Sequence, residues 1–420
     1  MSATAPRRQL LLPASLAWTV LLLGVLEWTA GANRAAPLLA LADPYVGPAG
    51  FGALAVHGIL CDDERRRVLV LRAGVALEIL RFVFLAWRLI PLDAVVFSVG
   101  YGFLAAALVD FLMHRDWRPA ALAALVPVGM ASSRLGLADI VQRLTPLTYD
   151  GTLLALDATL RVPFSRVAGH LFEAVPSIRM ISLIAYAALP GAIAAGLAYE
   201  EYARRRGLAR GVGANMLLAY MLSGSIAALL YVLCPATGPS HAFASGFPGA
   251  LPDPSSVPLQ LAVFAPDSPR NAMPSLHVTW AVLLARSAAG SRRSVRIGAY
   301  LFAALTAIST MGSGEHYIYD LIAVAPFLVA LEAATAHWSI SWRRRLPALI
   351  SGIALYALLM IVIRNGSVTV PRLARAPSLA WAYALFTMGV PIACALRAVR
   401  IQSDETIHGG AVAASRIPKL

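Results

Sequence analysis

Long apolar runs separated by short polar stretches dominate the chain. Runs near ~20 residues match the length an α-helix needs to cross a ~30 Å hydrocarbon core. The pattern therefore predicts an all-α, polytopic membrane bundle of about twelve transmembrane helices. The candidate spans are 9–30, 44–60, 68–89, 92–113 and 119–132, then 178–199, 212–234, 274–290, 296–312, 317–338, 346–363 and 377–396. Asp43, Arg72, Glu78 and Arg81 interrupt or crowd the early runs, which makes those spans the weakest. The first run, Leu10 to Trp28 behind Arg7-Arg8, has the look of a secretory signal. With so many spans after it, it reads as an uncleaved first helix.

Two stretches break the pattern. Residues 134–177 are amphipathic but interrupted by charges, and are expected to lie on the outer membrane interface without crossing. Residues 235–273 are rich in Pro, Gly and Ser and predict an irregular loop, of a length that is usually functional or disordered.

Composition supports the membrane assignment. Of 420 residues, 59% are hydrophobic and 14% charged, with mean hydropathy +0.69, against roughly 25% charged in soluble domains. A water-soluble enzyme, a disordered chain and a disulfide scaffold fit poorly. The net charge of +13 could signal nucleic acid, but its placement argues otherwise, and no nucleic-acid partner is expected. Arg65-Arg66-Arg67, Arg115 with Arg118, Arg204-Arg205-Arg206, Arg292-Arg293 and Arg343-Arg344-Arg345 fall in alternate connections. Placing these clusters on the cytoplasmic side puts both termini inside. It also puts the 235–273 loop, and the starts of the spans at 274 and 317, outside. Cys61, Cys234 and Cys394 lie at or within apolar runs without metal-ligand spacing and read as packing residues.

Two strings carry candidate chemistry. One is Arg270-Asn-Ala-Met-Pro-Ser275-Leu-His277; the other runs from Ser309-Thr310 through Glu315-His316-Tyr-Ile-Tyr to Asp320. A helical hairpin leads out from His277 and back to His316, so both histidines are expected at one membrane face. Histidine serves as nucleophile or proton carrier near neutral pH. The His316-x-x-x-Asp320 spacing predicts both side chains on one helix face, the carboxylate accepting the Nδ1 proton and freeing Nε2. Either string alone is weak, since His-x-x-x-Asp is also an ordinary helix-surface ion pair. Together, in this order and at this separation, they point to catalysis.

The two strings resemble the second and third signature motifs of the phosphatidic acid phosphatase type 2 superfamily. The form Pro-Ser-Leu-His and the threonine at position 310 are most similar to the branch of inositol phosphorylceramide synthases and bacterial inositolphosphotransferase-like proteins. The resemblance covers about residues 134–340 and implies a six-helix catalytic core there. Residues 1–133 then form N-terminal transmembrane helices, and 341–420 two further helices and a cytoplasmic tail.

The resemblance implies that His316 attacks phosphorus to form a phosphohistidine, oriented by Asp320. His277 would protonate the leaving oxygen and then act as base toward water or an alcohol such as inositol or a ceramide-like lipid. Ser275 would hold phosphate oxygens, with no metal or other cofactor. The family's first motif, Lys-x6-Arg-Pro, is absent, Cys234-Pro235 standing in its place, and Thr310 replaces the third-motif arginine. Arg270 is the candidate substitute clamp, because its planar fork binds phosphate bidentately; Arg143, Arg161 and Arg166 are unranked alternatives.

The expected enzyme acts on a lipid phosphate or phosphodiester among membrane lipids, in a bacterial inner membrane, with its site facing the periplasm or exterior. Hydrolysis to water, a non-enzymatic lipid transporter and a silent scaffold are the alternatives. Tyr317 and Tyr319 are expected in the interfacial aromatic belt, His241 in a solvated loop, and Glu78, Arg81 and Asp110 in an internal ion pair.

Overall fold

The computed structural model describes residues 47–87, 100–131, 137–206, 215–243, 246–336 and 341–394. The predicted span 9–30 and both termini lie outside the described residues. Every extended element among the described residues is helical, and an isolated antiparallel bridge joins Thr148 to Ala262.

The first third supplies α1 (Gly47–Leu60), α2 (Glu64–Trp87), α3 (Tyr101–Met113) and α4 (Trp117–Ala131). The predicted interfacial segment forms α5 (Leu137–Leu144), α6 (Asp150–Thr159) and α7 (Phe164–Ala174). Then come α8 (Pro176–Arg205), α9 (Met216–Leu233), α10 (Pro239–Ala242), α11 (Leu276–Ser287) and α12 (Arg293–Gly312). The chain continues with α13 (Ile318–Ile322), α14 (Val324–Thr335), α15 (Trp342–Arg364), α16 (Gly366–Arg375) and α17 (Pro377–Cys394).

Six of these segments are long and apolar enough to cross a bilayer: 176–203, 216–233, 293–312, 318–335, 342–364 and 377–394. By length and composition they make the chain an integral membrane protein. Their outer faces expose Ile181, Ile184, Leu301, Ile353, Leu385 and Phe386, which suits lipid contact, since lipid tails solvate apolar side chains as water cannot. Three apolar helices of the first third are shorter, 50–60, 101–113 and 117–126. The predicted span 274–290 gives only the 12-residue α11, because Ser275 caps its start and a 3₁₀ turn at Ala288–Gly290 ends it. Twelve residues cover about 18 Å, well short of the hydrocarbon thickness.

Packing brings distant segments together. α1 lies along α8, and α2 along α3; α11 returns through α12, and both pack on α8. α1 comes close to α8 because Gly52 has no side chain: a Cβ there would stand 2.6 Å from Cβ of Ala194. Glu78 and Arg81 do pair (2.8 Å), and Glu78 also accepts the amides of Gly100 and Gly102 at the start of α3. Asp110 joins a different group: it meets His57 at 2.8 Å and Arg66 at 2.7 Å. These contacts supply the partners a carboxylate in an apolar helix needs. The cysteines are free, Cys61 and Cys234 buried and Cys394 half-buried.

None of the three helices of the segment 134–177 is long enough to cross a bilayer, as expected. α6 is buried along nearly its whole length, with Leu153 and Leu156 fully enclosed. It packs against α13 and α16, which places its acids beneath the segment that carries His316.

Candidate active site

Ser275 builds the first half of the site. As N-cap of α11 its hydroxyl accepts the amide of Val278 at 3.4 Å, one of the donors a helix start leaves unpaired. The same oxygen lies 3.0 Å from Nε2 of His316. One serine thus fixes the helix that carries His277 and touches the ring of His316.

His316 stands in the turn between α12 and α13. Its Nδ1 is 3.3 Å from Oδ2 of Asp320, and both residues are buried. The contact does not arise from two side chains on one helix face, as the spacing predicts, because His316 precedes α13. Asp320 instead sits at the third position of α13 and folds back to accept the amide of Tyr317 at 2.8 Å. That capping bond aims the carboxylate at the imidazole. With Asp320 accepting the Nδ1 proton, Nε2 carries the lone pair and Ser275 donates to it; this tautomer is inferred from the bonding pattern. Burial drives the imidazole pKa down to about 4, although Glu315 and the carbonyl of Ala272 pull the other way. The ring is therefore neutral at neutral pH, as a nitrogen nucleophile must be.

Two acids of α6, seven residues apart and so on one face of the helix, anchor the turn from below. Asp150 accepts the Tyr317 hydroxyl at 3.0 Å and the amides of Thr237 and Gly238. Asp157 accepts the amide of Ile318 at 3.0 Å through Oδ2, while its Oδ1 is buried without a partner. Burial raises the carboxyl pKa of both, and at Asp157 the charge of Asp320 acts in the same sense. Ser165 on α7 donates to the carbonyl of His316 at 2.9 Å. Gly238 adopts φ +92°, and a Cβ there would strike the carbonyl of Glu315. Only glycine combines that left-handed backbone with so close an approach.

His277 is half-buried in the first turn of α11. Its ring stacks on Tyr186 of α8, with centroids 4.4 Å apart and planes 29° apart, and meets Trp280 edge-on. The Tyr186 hydroxyl is 2.9 Å from Oε2 of Glu315, the residue before His316. Tyr186 therefore links the two histidine-bearing segments.

The structure brings His277, His316, Asp320 and Ser275 to one end of the α11–α12 hairpin. Arg270 is differently placed. It is fully buried, and its side chain donates to the carbonyls of Thr145, Ala265, Ser268, Pro146 and Pro266. Each of its three guanidinium nitrogens is thus engaged within the loop. Arg161 donates to Ala374 and Arg166 to Gly249, while Arg143 is exposed. Thr310 turns its hydroxyl back to the carbonyl of Ala307. Tyr317 and Tyr319 are fully buried, not in an interfacial belt, because Asp150 draws one inward and α13 packs the other against α6. His241 is exposed, as expected.

Several residues of the site have no counterpart among the predicted ones: Asp150, Asp157, Ser165, Tyr186 and Glu315. The seven-residue spacing of the two α6 acids is a signal for Asp150 and Asp157; Ser165, Tyr186 and Glu315 have none comparable.

Among the described residues, no group of three or more His, Cys, Asp or Glu is placed to hold a metal ion. No curated protein and no solved structure matches the chain. Residues 151–334 match the family model described as PAP2 superfamily. The matched stretch runs from α6 to the end of α14 and contains every residue of the histidine cluster. Over this stretch the chain is similar to the PAP2 superfamily.

Proposed function

We propose that the protein is a membrane-embedded phosphoryl-transfer enzyme acting on a lipid phosphate or phosphodiester through a phosphohistidine, in the manner of the inositolphosphotransferases. The carrying observation is the buried chain Ser275–His316–Asp320, with contacts of 3.0 and 3.3 Å, on a hairpin that also presents His277.

In the first step Nε2 of His316 attacks phosphorus, and the bond from phosphorus to the lipid oxygen breaks. His277, entering the step as the imidazolium, gives that oxygen its Nε2 proton and keeps the one on Nδ1. Asp320 holds Nδ1–H and stabilises the positive charge on the ring as the N–P bond forms. In the second step an oxygen of water or an alcohol, deprotonated by His277, attacks the same phosphorus and the N–P bond breaks. Substrate oxygens are received by Ser275 at the start of α11, where a helix N-terminus favours anions. Arg270 was the candidate clamp; its carbonyl contacts support a different role, holding the 265–275 loop that positions Ser275. The scheme uses no metal ion or organic cofactor.

The inositolphosphotransferase assignment rests on Pro274-Ser275-Leu276-His277 and Thr310. Inositol or a ceramide-like lipid is the proposed acceptor. The arginine clusters support a site on the periplasmic or outer side of a bacterial inner membrane, with cytoplasmic termini. The same observations support residues 134–340 as the catalytic unit, flanked by helices at 1–133 and 341–420.

The test is purified protein in nanodiscs, supplied with a panel of lipid phosphates and phosphodiesters with and without inositol or ceramide-like alcohols. New phosphodiester product supports the transferase. Release of free phosphate alone identifies a phosphatase. No turnover of any donor refutes the enzyme and favours a lipid transporter. Turnover should survive EDTA, and a strict divalent-metal requirement would refute the phosphohistidine scheme.

A further inference from the structure

Tyr186 belongs to none of the motifs that suggested the site, yet it touches both catalytic segments. Its hydroxyl stands 2.9 Å from Oε2 of Glu315 and 3.4 Å from Nδ1 of His277, while its ring stacks on the imidazole at 4.4 Å. A phenol has one proton and two lone pairs. Glu315, as a carboxylate, only accepts, so the phenol proton goes to Glu315. What the hydroxyl then offers His277 is a lone pair. The bond it can make to Nδ1 requires that nitrogen to carry hydrogen.

We infer that Tyr186 and Glu315 form a positioning pair that holds His277 in its Nδ1–H form, so that Nε2 is the nitrogen exchanging a proton with the leaving and attacking oxygens. The inference deepens the proposed reaction and rests on that reading for its kinetic consequences. The geometry repeats at His277 what Asp320 does at His316, with a phenol inserted between carboxylate and ring. Stacking fixes the plane of the imidazole, and the hydroxyl fixes its rotation within that plane. Because Glu315 immediately precedes His316, the pair also ties the orientation of the proton donor to the backbone of the nucleophile.

Two measurements test the pair. The first is the ¹⁵N spectrum of histidine-labelled full-length protein in detergent, which distinguishes Nδ1–H from Nε2–H imidazoles without needing turnover. His277, assigned by its loss in His277→Gln, should be Nδ1–H in the native protein. Glu315→Gln keeps an acceptor for the phenol and should preserve that form. Glu315→Ala frees the phenol proton to point at Nδ1 and should convert His277 to the Nε2–H form. A native Nε2–H ring, or no change in Glu315→Ala, overturns the pair.

The second measurement compares leaving groups. Tyr186→Phe keeps the stacking and removes the hydroxyl. It should lower kcat about 10²-fold for a lipid phosphate with an alkyl leaving group, the usual scale of proton-transfer catalysis, with little change in KM. For 4-nitrophenyl phosphate, whose leaving group departs without a proton, the loss should be at least tenfold smaller. Equal losses on both substrates, or none, overturn the pair. Should native protein turn over neither substrate, the proposed reaction fails, and the ¹⁵N spectra still decide the pair.

Discussion

Ser275 and His316 lie 41 residues apart in sequence, and the hydroxyl of one is 3.0 Å from Nε2 of the other. The serine occupies the lone pair with which the histidine would attack. A phosphate entering the site must displace that bond, and the freed hydroxyl is then available to a phosphate oxygen. Ser275→Ala should therefore raise KM for the donor through loss of that contact. Its kcat should fall less than tenfold, because the nucleophile no longer has a hydrogen bond to break. Steady-state kinetics in nanodiscs separate the two constants.

His316→Gln should reduce turnover by roughly 10³-fold or more. Labelling with a ³²P donor should give acid-labile, base-stable label in the native protein and none in this variant. Label on serine or aspartate would show a different nucleophile.

The depressed pKa of His316 has a stability consequence with a definite sign. In the unfolded chain the ring binds a proton near pH 6.5; in the folded protein it does so only near pH 4. Between these values the unfolded state holds more protons, so stability falls as pH drops from about 6.5 towards 4. A shift of that size corresponds to about 3 kcal/mol at most. Thermal unfolding in detergent from pH 7 to pH 4 should show a steeper decline for native protein than for His316→Gln. Parallel curves would contradict the burial argument.

Arg270→Ala should act on folding more than on substrate affinity. It leaves five carbonyls without their donor, a loss of several kcal/mol if each unpaired group costs about 1 kcal/mol. The melting temperature should drop sharply, and Arg270→Lys should recover only part of it, since an ammonium lacks the planar fork. A variant that melts normally but binds the phosphate donor poorly would return Arg270 to the role of clamp.

The two acids of α6 should respond differently to the same change. Asp157 holds one amide through Oδ2 and has an unpartnered Oδ1, so Asp157→Asn preserves its bond and should be tolerated. Asp150 accepts from Thr237, Gly238 and Tyr317. All three reach its Oδ1, and the Thr237 amide also lies 3.2 Å from Oδ2, so Asp150→Asn can keep them only by setting its amide nitrogen, a donor, against the Thr237 N–H and should be destabilising. Melting temperatures and residual turnover of the two variants test the contrast.

The pattern of the chain reveals the helical class, the six spans long enough to cross and the meeting of the histidine segments, because these follow from run length and motif order. It does not show that α6 is buried, since charged residues in a short helix read as solvent-facing until a buried turn is seen to need them. It misses Tyr186, because a phenol within an apolar run gains a polar role only when Glu315 and His277 arrive from elsewhere in the fold. It gives Arg270 a freedom that the carbonyls of Thr145 and Pro146, about 125 residues upstream, remove. Asp320 reaches His316 as the spacing suggests, but by capping a helix that begins after the histidine.

The anchoring of the catalytic turn by α6 also sets an order of assembly. Synthesis runs from the amino end, and Asp157 leaves the ribosome 161 residues before Ile318, the amide it will hold; Asp150 precedes Tyr317 by 167. Until the later segment arrives both carboxyls lack those partners, so α6 has little reason to settle in the core. The His316-bearing turn and its foundation are therefore completed together, once the later segment has been made.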